Sequence, residues 1–297
     1  MFIDLPGELE EALIDLGGTL PAWELEGSFL AGSTMKQYRA ALEAVPGYEE
    51  TIAALRGRLT ATSGGYAVVR LGGLATALGT GEPFLKLATA FAAEVAVPFS
   101  PFEQWPLWKT MGTRIGGDPG LSSGTGYNAF HMDLVNASRP PDYTSLLCLR
   151  PDPLGGGPSI VSDARAAVGR LSKETRALLS EDAYRYGTFY GFSDVGAEYK
   201  PFPVLDGEAA DAGFVRFTAK MLGREQLGQE HARAAEELAE QLVWGQVSFT
   251  LQAGDFLVID QHRCVHGREA LGDGQETVPE EERRMLLQLF LRAADAR

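Results

Sequence analysis

The sequence predicts a mainly β fold with flanking helices, and three observations carry that expectation. From about Trp105 onward, short β-rich runs alternate with turn residues, the pattern of many brief strands. Helical periodicity is confined to the front of the chain and to one late stretch. Strand and helix do not alternate regularly, and no glycine-rich phosphate loop follows a strand, so a doubly wound nucleotide fold gets no support. Nothing resembling a linker or a fixed-period repeat divides the 297 residues. We therefore expect one domain over 1–297, with a helical N-terminal decoration over 1–65 and a lid with a helical insertion over 185–245.

Local signals place the elements. Pro6, the Leu9/Leu13 spacing and the Gly17-Gly18 stop predict a first helix. Ser33 as an N-cap predicts a second, through Leu42 to Pro46, and residues 49–58 fit a third. Gly64-Gly65 turns into a β-branched strand over 66–71, and the alanine-rich stretch 84–94 reads as helix. Strands are expected over 109–115, 127–133, 145–149 and 159–161. Ser172 caps a helix to about Leu179. The Gly/aromatic stretch 184–196, followed by Pro201 and Pro203, predicts irregular chain. Residues 229–243 form an amphipathic helix with Leu238 and Leu242 on one face. Strands over 246–251, 256–260 and 284–292 follow.

Composition excludes some classes. The chain has 26 Lys+Arg against 40 Asp+Glu, a net charge of -14. Nucleic-acid binders need a basic stripe to displace counterions, and anionic membranes attract basic surfaces. Neither partner is expected; a small-molecule substrate is, and the oligomeric state is not legible. Two cysteines, Cys148 and Cys264, give no disulfide scaffold. No apolar run reaches the roughly 20 residues of a spanning helix, and the N-terminus lacks a basic and apolar leader. The expected location is the cytoplasm.

The chemistry starts from four histidines. In His131-Met132-Asp133, residues i and i+2 of a strand share a face, so imidazole and carboxylate converge. A further histidine would complete the facial triad of a non-haem iron site. The pair alone is weak: with 40 acidic residues in 297, one such match among four histidines arises by chance roughly half the time. His231 sits in a charged helix and reads as surface, which leaves His262 and His266 after the strand over 256–260. A helical pairing of those two is disfavoured by Gly267. On the last strand Arg284, Leu286, Gln288, Phe290 and Arg292 share one face. An arginine among apolar neighbours calls for an anion, and its fork fits a carboxylate.

With these residues the chain resembles the Fe(II)/2-oxoglutarate-dependent oxygenases of the taurine dioxygenase and clavaminate synthase-like superfamily, closer to the latter branch. The carrying blocks are Phe130-His131-Met132-Asp133 through Ser159, then Gly254-Asp255 to His266-Gly267-Arg268, then the Arg284 strand. Gln261 stands where asparagine is usual. The resemblance implies a double-stranded β-helix, or jelly-roll. It also implies Fe(II) held by His131, Asp133 and His266, and 2-oxoglutarate held by Arg284 and Ser159, with O2 as co-reactant. The His266–Arg284 gap is longer than usual, the acidic loop 272–282 reading as an insertion, so Arg283 stays a register alternative. A carboxylate at 133 argues against halogenation. The implied reaction is hydroxylation of a free amino acid or small polar natural-product intermediate. Desaturation or cyclisation, a non-oxidative metal-dependent jelly-roll enzyme and a binding protein with a dead site remain open. Candidate substrate contacts are Tyr127 and Asn128 before the motif, and Phe192 and Arg216 in or beside the lid.

Overall fold

The structure is a computed structural model and describes residues 1–60, 64–186, 201–206, 213–222 and 227–293. In chain order the front half holds β1 (Phe2–Asp4), α1 (Gly7–Gly17), β2 (Leu25–Glu26), β3 (Phe29–Leu30), α2 (Gly32–Leu42), α3 (Tyr48–Leu59), β4 (Tyr66–Arg70), α4 (Gly72–Leu78), α5 (Glu82–Val95), β5 (Val97–Phe99) and β6 (Lys109–Gly112). The rest holds β7 (Asn128–His131), β8 (Tyr143–Arg150), β9 (Ser159–Asp163), α6 (Ala164–Gly169), α7 (Lys173–Leu179), α8 (Gln229–Trp244), β10 (Val247–Phe249), β11 (Asp255–Asp260), β12 (Cys264–Arg268) and β13 (Met285–Arg292). No helix among the described residues is long and apolar enough to cross a membrane.

The strands form a major mixed sheet, ordered β1-β4-β11-β8-β13-β5-β3-β2 with β6 also on β13, and a minor sheet ordered β10-β9-β12-β7. The central strands β8, β11 and β13 are mostly apolar and largely buried because both faces are covered. On β11, Phe256 and Val258 point to the helices of the N-terminal half. Leu257 and Ile259 point the other way, against Val161 and Phe249 of the minor sheet. On β13, Leu287, Leu289 and Leu291 take the helical side. The far face of the minor sheet is sealed by α6, α7 and α8, with Leu238 and Leu242 packed near Phe130, Ile160 and Val265. The layers are thus helices, sheet, sheet, helices.

Several expectations shift. Ser33 lies inside α2, whose cap position is Ala31 without a side-chain bond. The neighbouring Thr34 hydroxyl instead accepts from the Glu24 N–H. Ser172 does cap α7, accepting from the Thr175 N–H at 3.0 Å. The N-terminal segment is more than helical, since β1 and the β2–β3 pair extend the major sheet at its two edges. β12 has no counterpart among the expected strands. Its sequence, Cys-Val-His-Gly-Arg, lacks β-rich alternation, yet it is the buried partner of both β9 and β7.

Asp142 ties the end of β13 to the chain before β8. It accepts from His262 Nε2 at 2.7 Å, from the Ala293 N–H at 3.0 Å and from Arg292 Nη1 at 3.4 Å. Burial favours the neutral acid, but the His262 bond, the Ala293 N–H and Arg292 hold the carboxyl below its usual range. Asp142→Ala is expected to cost about 3 kcal/mol, the scale for breaking a buried charged network. A lower urea midpoint at unchanged slope checks it. The native contribution is present above the unfolded value of about 3.9. It is lost as pH falls through the lower folded value.

Candidate active site

The site lies between the sheets, at the end where β7 and β12 face β13. His131 ends β7, and His266 sits directly opposite it on β12. The register shifts just after His266, at Gly267. A Cβ there would sit 2.5 Å from the Asn128 carbonyl oxygen, so only glycine allows this close approach. Asp133 is not on the strand as expected. β7 stops at His131, and Met132 donates its N–H to the Phe217 carbonyl. Leu134 then takes a left-handed φ of 53°, a strained turn for a leucine that directs the chain away immediately after the carboxylate.

The three side chains converge. Their donor atoms all lie within 4.8 Å of one another. His266 Nε2 is 3.5 Å from Asp133 Oδ2, and His131 Nε2 is 3.9 Å from Asp133 Oδ1. His131 Nδ1 bonds the Ala129 carbonyl at 2.8 Å, which assigns the proton to Nδ1 and leaves the Nε2 lone pair on the Asp133 side. Two glutamines hold the acid: Gln288 Nε2 donates to Asp133 Oδ2 at 3.0 Å, and Gln261 Oε1 accepts from the Asp133 N–H at 2.7 Å. Gln261 thus has a defined task at the position where asparagine was expected.

Burial pushes His131 down to about 4, helped by the neighbouring His266 and opposed by Asp133. Burial also lowers His266. Burial alone would raise the Asp133 carboxyl, but His266, His131, Thr144 and Lys109 bring it below its usual value. Two neutral imidazoles and a carboxylate are the protonation states a divalent metal requires. The donor set fits: nitrogen and carboxylate ligands, mutually close and held from behind, suit Fe(II) with open positions. One departure is His266 Nδ1, which is buried without a protein partner, whereas metal-binding histidines ordinarily donate from the second nitrogen.

A cavity opens from these residues along β13, lined by Arg284, Leu286, Gln288 and Phe290. That is the alternate-residue face read from sequence. Arg284 is buried and, among the described residues, its guanidinium makes no hydrogen bond or ion pair. Arg283 faces the other way and donates to the Val278 carbonyl. Arg292 lies outside the lining and is used by Pro140, Arg139 and Asp142. Ser159 lines the cavity, with a hydroxyl that no described group bonds.

Arg268 is a site residue that sequence reasoning missed, although it was quoted in the motif. It pairs across to Ser159 and donates to the carbonyls of Gly124, Gly126 and Glu269. A Cβ at Gly157 would lie 3.7 Å from the Cδ of both Arg268 and Arg284, so the two stems run together. Burial and the Arg284 charge push Arg268 down to about 10. Two adjacent buried guanidiniums favour an anion. Asp152 staples the loops beside them, accepting from Gly156, Gly272 and Gln275.

The substrate candidates separate. Asn128 lines the cavity, its Oδ1 buried and unpartnered. Tyr127 is 47% exposed and outside the lining, because β7 begins one residue later than expected. Arg216 is also outside it, turned to Asp206 and to the Val135 and Ala137 carbonyls. Phe192 lies outside the described residues, as do 187–200, 207–212 and 223–226 of the expected lid and insertion. His262 and His231 are not in the cluster: His262 bonds Asp142 and stacks on Phe214, and His231 bonds Glu181.

Residues 45–289 match the family model described as taurine catabolism dioxygenase TauD, TfdA family. The chain belongs to the TauD/TfdA family. Among curated relatives, an L-asparagine oxygenase of Streptomyces coelicolor is 28% identical over 197 residues, 66% of this chain and 54% of the relative. An L-lysine 3-hydroxylase of Catenulispora acidiphila is 31% identical over 148 residues, 46% of this chain and 39% of the relative. The match thus spans about half of those relatives or less. A solved asparagine oxygenase, in complex with Fe(II), 3-hydroxyasparagine and succinate, superposes with a TM-score of 0.75 at 20% identity, over 98% of this chain and 93% of that one. The non-haem iron oxygenase OrfP, with Fe and alpha-ketoglutaric acid, gives 0.76 at 20% identity, over 99% and 94%. These likenesses establish the fold.

Proposed function

We propose that the protein is a non-haem Fe(II)- and 2-oxoglutarate-dependent dioxygenase that hydroxylates an unactivated C–H bond of a free amino acid or small polar natural-product intermediate. The two packed sheets are read as the family's double-stranded β-helix, or jelly-roll, and 1–297 as one oxygenase domain. One observation carries the reading. A triad of two neutral imidazoles and a carboxylate shares a cavity with Arg284, a buried cation without a counter-ion among the described residues.

In this reading His131, Asp133 and His266 would hold Fe(II), and Arg284 would take the distal carboxylate of 2-oxoglutarate in its two-pronged fork. The Ser159 hydroxyl would donate to the same carboxylate. When bound, iron, 2-oxoglutarate and O2 supply the oxidising power for hydroxylation, coupled to decarboxylation of 2-oxoglutarate to succinate. The chain does the positioning. Gln288 and Gln261 fix the acid, the Ala129 carbonyl fixes the His131 tautomer, and Met111, Leu121, Leu146 and Leu286 keep the walls dry. Amino acids as substrates are supported by what the relatives are named for, asparagine oxygenation and lysine 3-hydroxylation. Desaturation and cyclisation need the same machinery and differ in how the substrate is placed.

The test is a succinate-release screen under air with Fe(II), 2-oxoglutarate and a panel of amino acids and nucleosides, with mass detection. A +16 product is expected. A -2 product would make the enzyme a desaturase or cyclase, and absence of any 2-oxoglutarate turnover would overturn the reading. Ser159→Ala is expected to raise the 2-oxoglutarate KM about fivefold, from a lost hydrogen bond of about 1 kcal/mol. The KM for the primary substrate should stay put; a 2-oxoglutarate titration checks both.

A further inference from the structure

Among the described residues that line the cavity, one cation is left without an occupation. Arg268 is satisfied by main-chain oxygens, Arg284 is assigned to 2-oxoglutarate, and Lys220 has a partner. Lys109 makes no hydrogen bond or ion pair among the described residues. Asp133 is the sole carboxylate among the described lining residues, and it is assigned to iron. Fe(II), Asp133, the dianionic cosubstrate and Arg284 cancel in charge. The Lys109 charge is left over.

Strand pairing fixes where that charge stands. Lys109 and Met111 of β6 lie opposite Gln288 and Leu286 of β13, and all four line the cavity. Thr110 between them lies opposite Leu287, which packs among the helices. The strand period of two therefore turns Lys109 inward. Its neighbour Gln288 is the residue that holds Asp133, at 3.0 Å. Directly opposed residues bring their Cβ atoms to roughly 5 Å, so Lys109 stands one strand across from the metal end. Arg284 lies four positions before Gln288, roughly 13 Å back at 3.3 Å per residue, so the two cations serve separate ends. The Lys109 ammonium lies 3.6 Å from the centroid of the Trp105 ring, itself part of the lining. The face of a ring steadies a cation without neutralising it. Burial disfavours the charged ammonium, and the Asp133 charge counters that. Once the acid is shared with a metal, the ammonium needs another anion beside it.

We propose that Lys109 is a specificity-determining residue of the oxygenase, pairing with the free α-carboxylate of an amino-acid substrate at the metal end of the cavity. The α-carboxylate is the one anion that every free amino acid carries. The inference rests on the oxygenase reading and narrows it. An amino acid whose α-carboxyl is tied up as an amide, ester or thioester offers Lys109 no charge.

The experiment is equilibrium titration of the full chain without O2, loaded with Mn(II) and 2-oxoglutarate so that no turnover occurs. The probes are the common L-amino acids, each set against its own α-carboxamide. At least one amino acid is expected to bind, roughly tenfold or more tighter than its carboxamide, the scale of one charge-assisted contact. Lys109→Gln should weaken that amino acid by a similar factor and leave it within about twofold of its carboxamide. Lys109→Arg should retain part of the discrimination. Affinities for Mn(II) and 2-oxoglutarate should be unchanged in both variants, which also shows that they are folded. Equal or tighter binding of the carboxamide, no amino acid bound by the unaltered protein, or unaltered discrimination in Lys109→Gln would overturn the proposal and leave the oxygenase reading standing. So would a weakened 2-oxoglutarate or Mn(II) affinity in Lys109→Gln, which would put Lys109 to work on the cosubstrate or the metal instead. Failure of the unaltered protein to bind 2-oxoglutarate would remove the oxygenase reading, and this inference with it.

Discussion

Asp133→Ala is expected to lose Fe(II) affinity by more than about 100-fold, beyond the effect of outer-shell changes at metal sites, and to show no succinate formation. Asp133 supplies the one negative charge of the triad, and both glutamines converge on it. In the variant, Gln288 Nε2 loses its bond to the carboxylate, and two neutral imidazoles face each other with ring centroids 4.5 Å apart. Two such ligands retain weak affinity for many divalent ions, so metal binding and turnover must both be measured. Anaerobic Mn(II) titration followed by electron paramagnetic resonance reads the first, and succinate release with excess iron reads the second. Full turnover in the variant would sink the assignment of the metal centre.

Arg284→Ala is expected to raise the 2-oxoglutarate requirement by about 100-fold, with a much smaller change in the KM for the primary substrate. Hydrogen bonds to charged groups contribute about 1.5–3 kcal/mol each, and 1.4 kcal/mol corresponds to a factor of ten. The partition between the two substrates is the informative part. A generally damaged fold would raise both constants or lower the amount of active protein. Arg283→Ala serves as the neighbouring control, since that side chain is turned to the Val278 carbonyl. Equal effects of the two changes on 2-oxoglutarate would show that the strand phase assigned to β13 is wrong.

Much of this was legible in the sequence where the signal is local. The apolar runs of β4, β8, β11 and β13 mark strands buried on both faces, and the cap at Ser172 is a one-residue signal that the structure repeats. Strand phase carried further than composition. It placed Arg284, Gln288 and Phe290 on one face before any tertiary contact was known, and all three line the cavity. What escaped depends on long-range pairing. β12 has no β-rich pattern because its positions are occupied by a histidine, a glycine at a close approach and an arginine. β5 contains Pro98, which local rules demote to an edge, although the strand pairs with both β13 and β3. The choice between His262 and His266 came only through the resemblance of the His266-Gly267-Arg268 block, not from local pattern, and it rests physically on which one faces His131. Asp133 joins the cluster by leaving the strand, through an irregular turn at Leu134 that propensities do not favour.

The opposed anchoring of His266 and Arg284 bears on how such a site tolerates change over evolution. His266 is fixed by its partners on the minor sheet, and Arg284 by the start of a strand in the major sheet. The segment between them sets neither position. Residues can be gained or lost without moving either functional group at 279–282, where every residue is exposed, but not at Gly272 or Gln275, which are bonded to Asp152. Within β12 or β13, by contrast, a single inserted residue exchanges the inward and outward sets and dismantles the site. Drift in the gap is therefore cheap and drift in parity is not. A pattern that demands a fixed spacing between the last histidine and the arginine would pass over chains like this one, whereas a pattern written as two strand phases joined by a free gap would retain them.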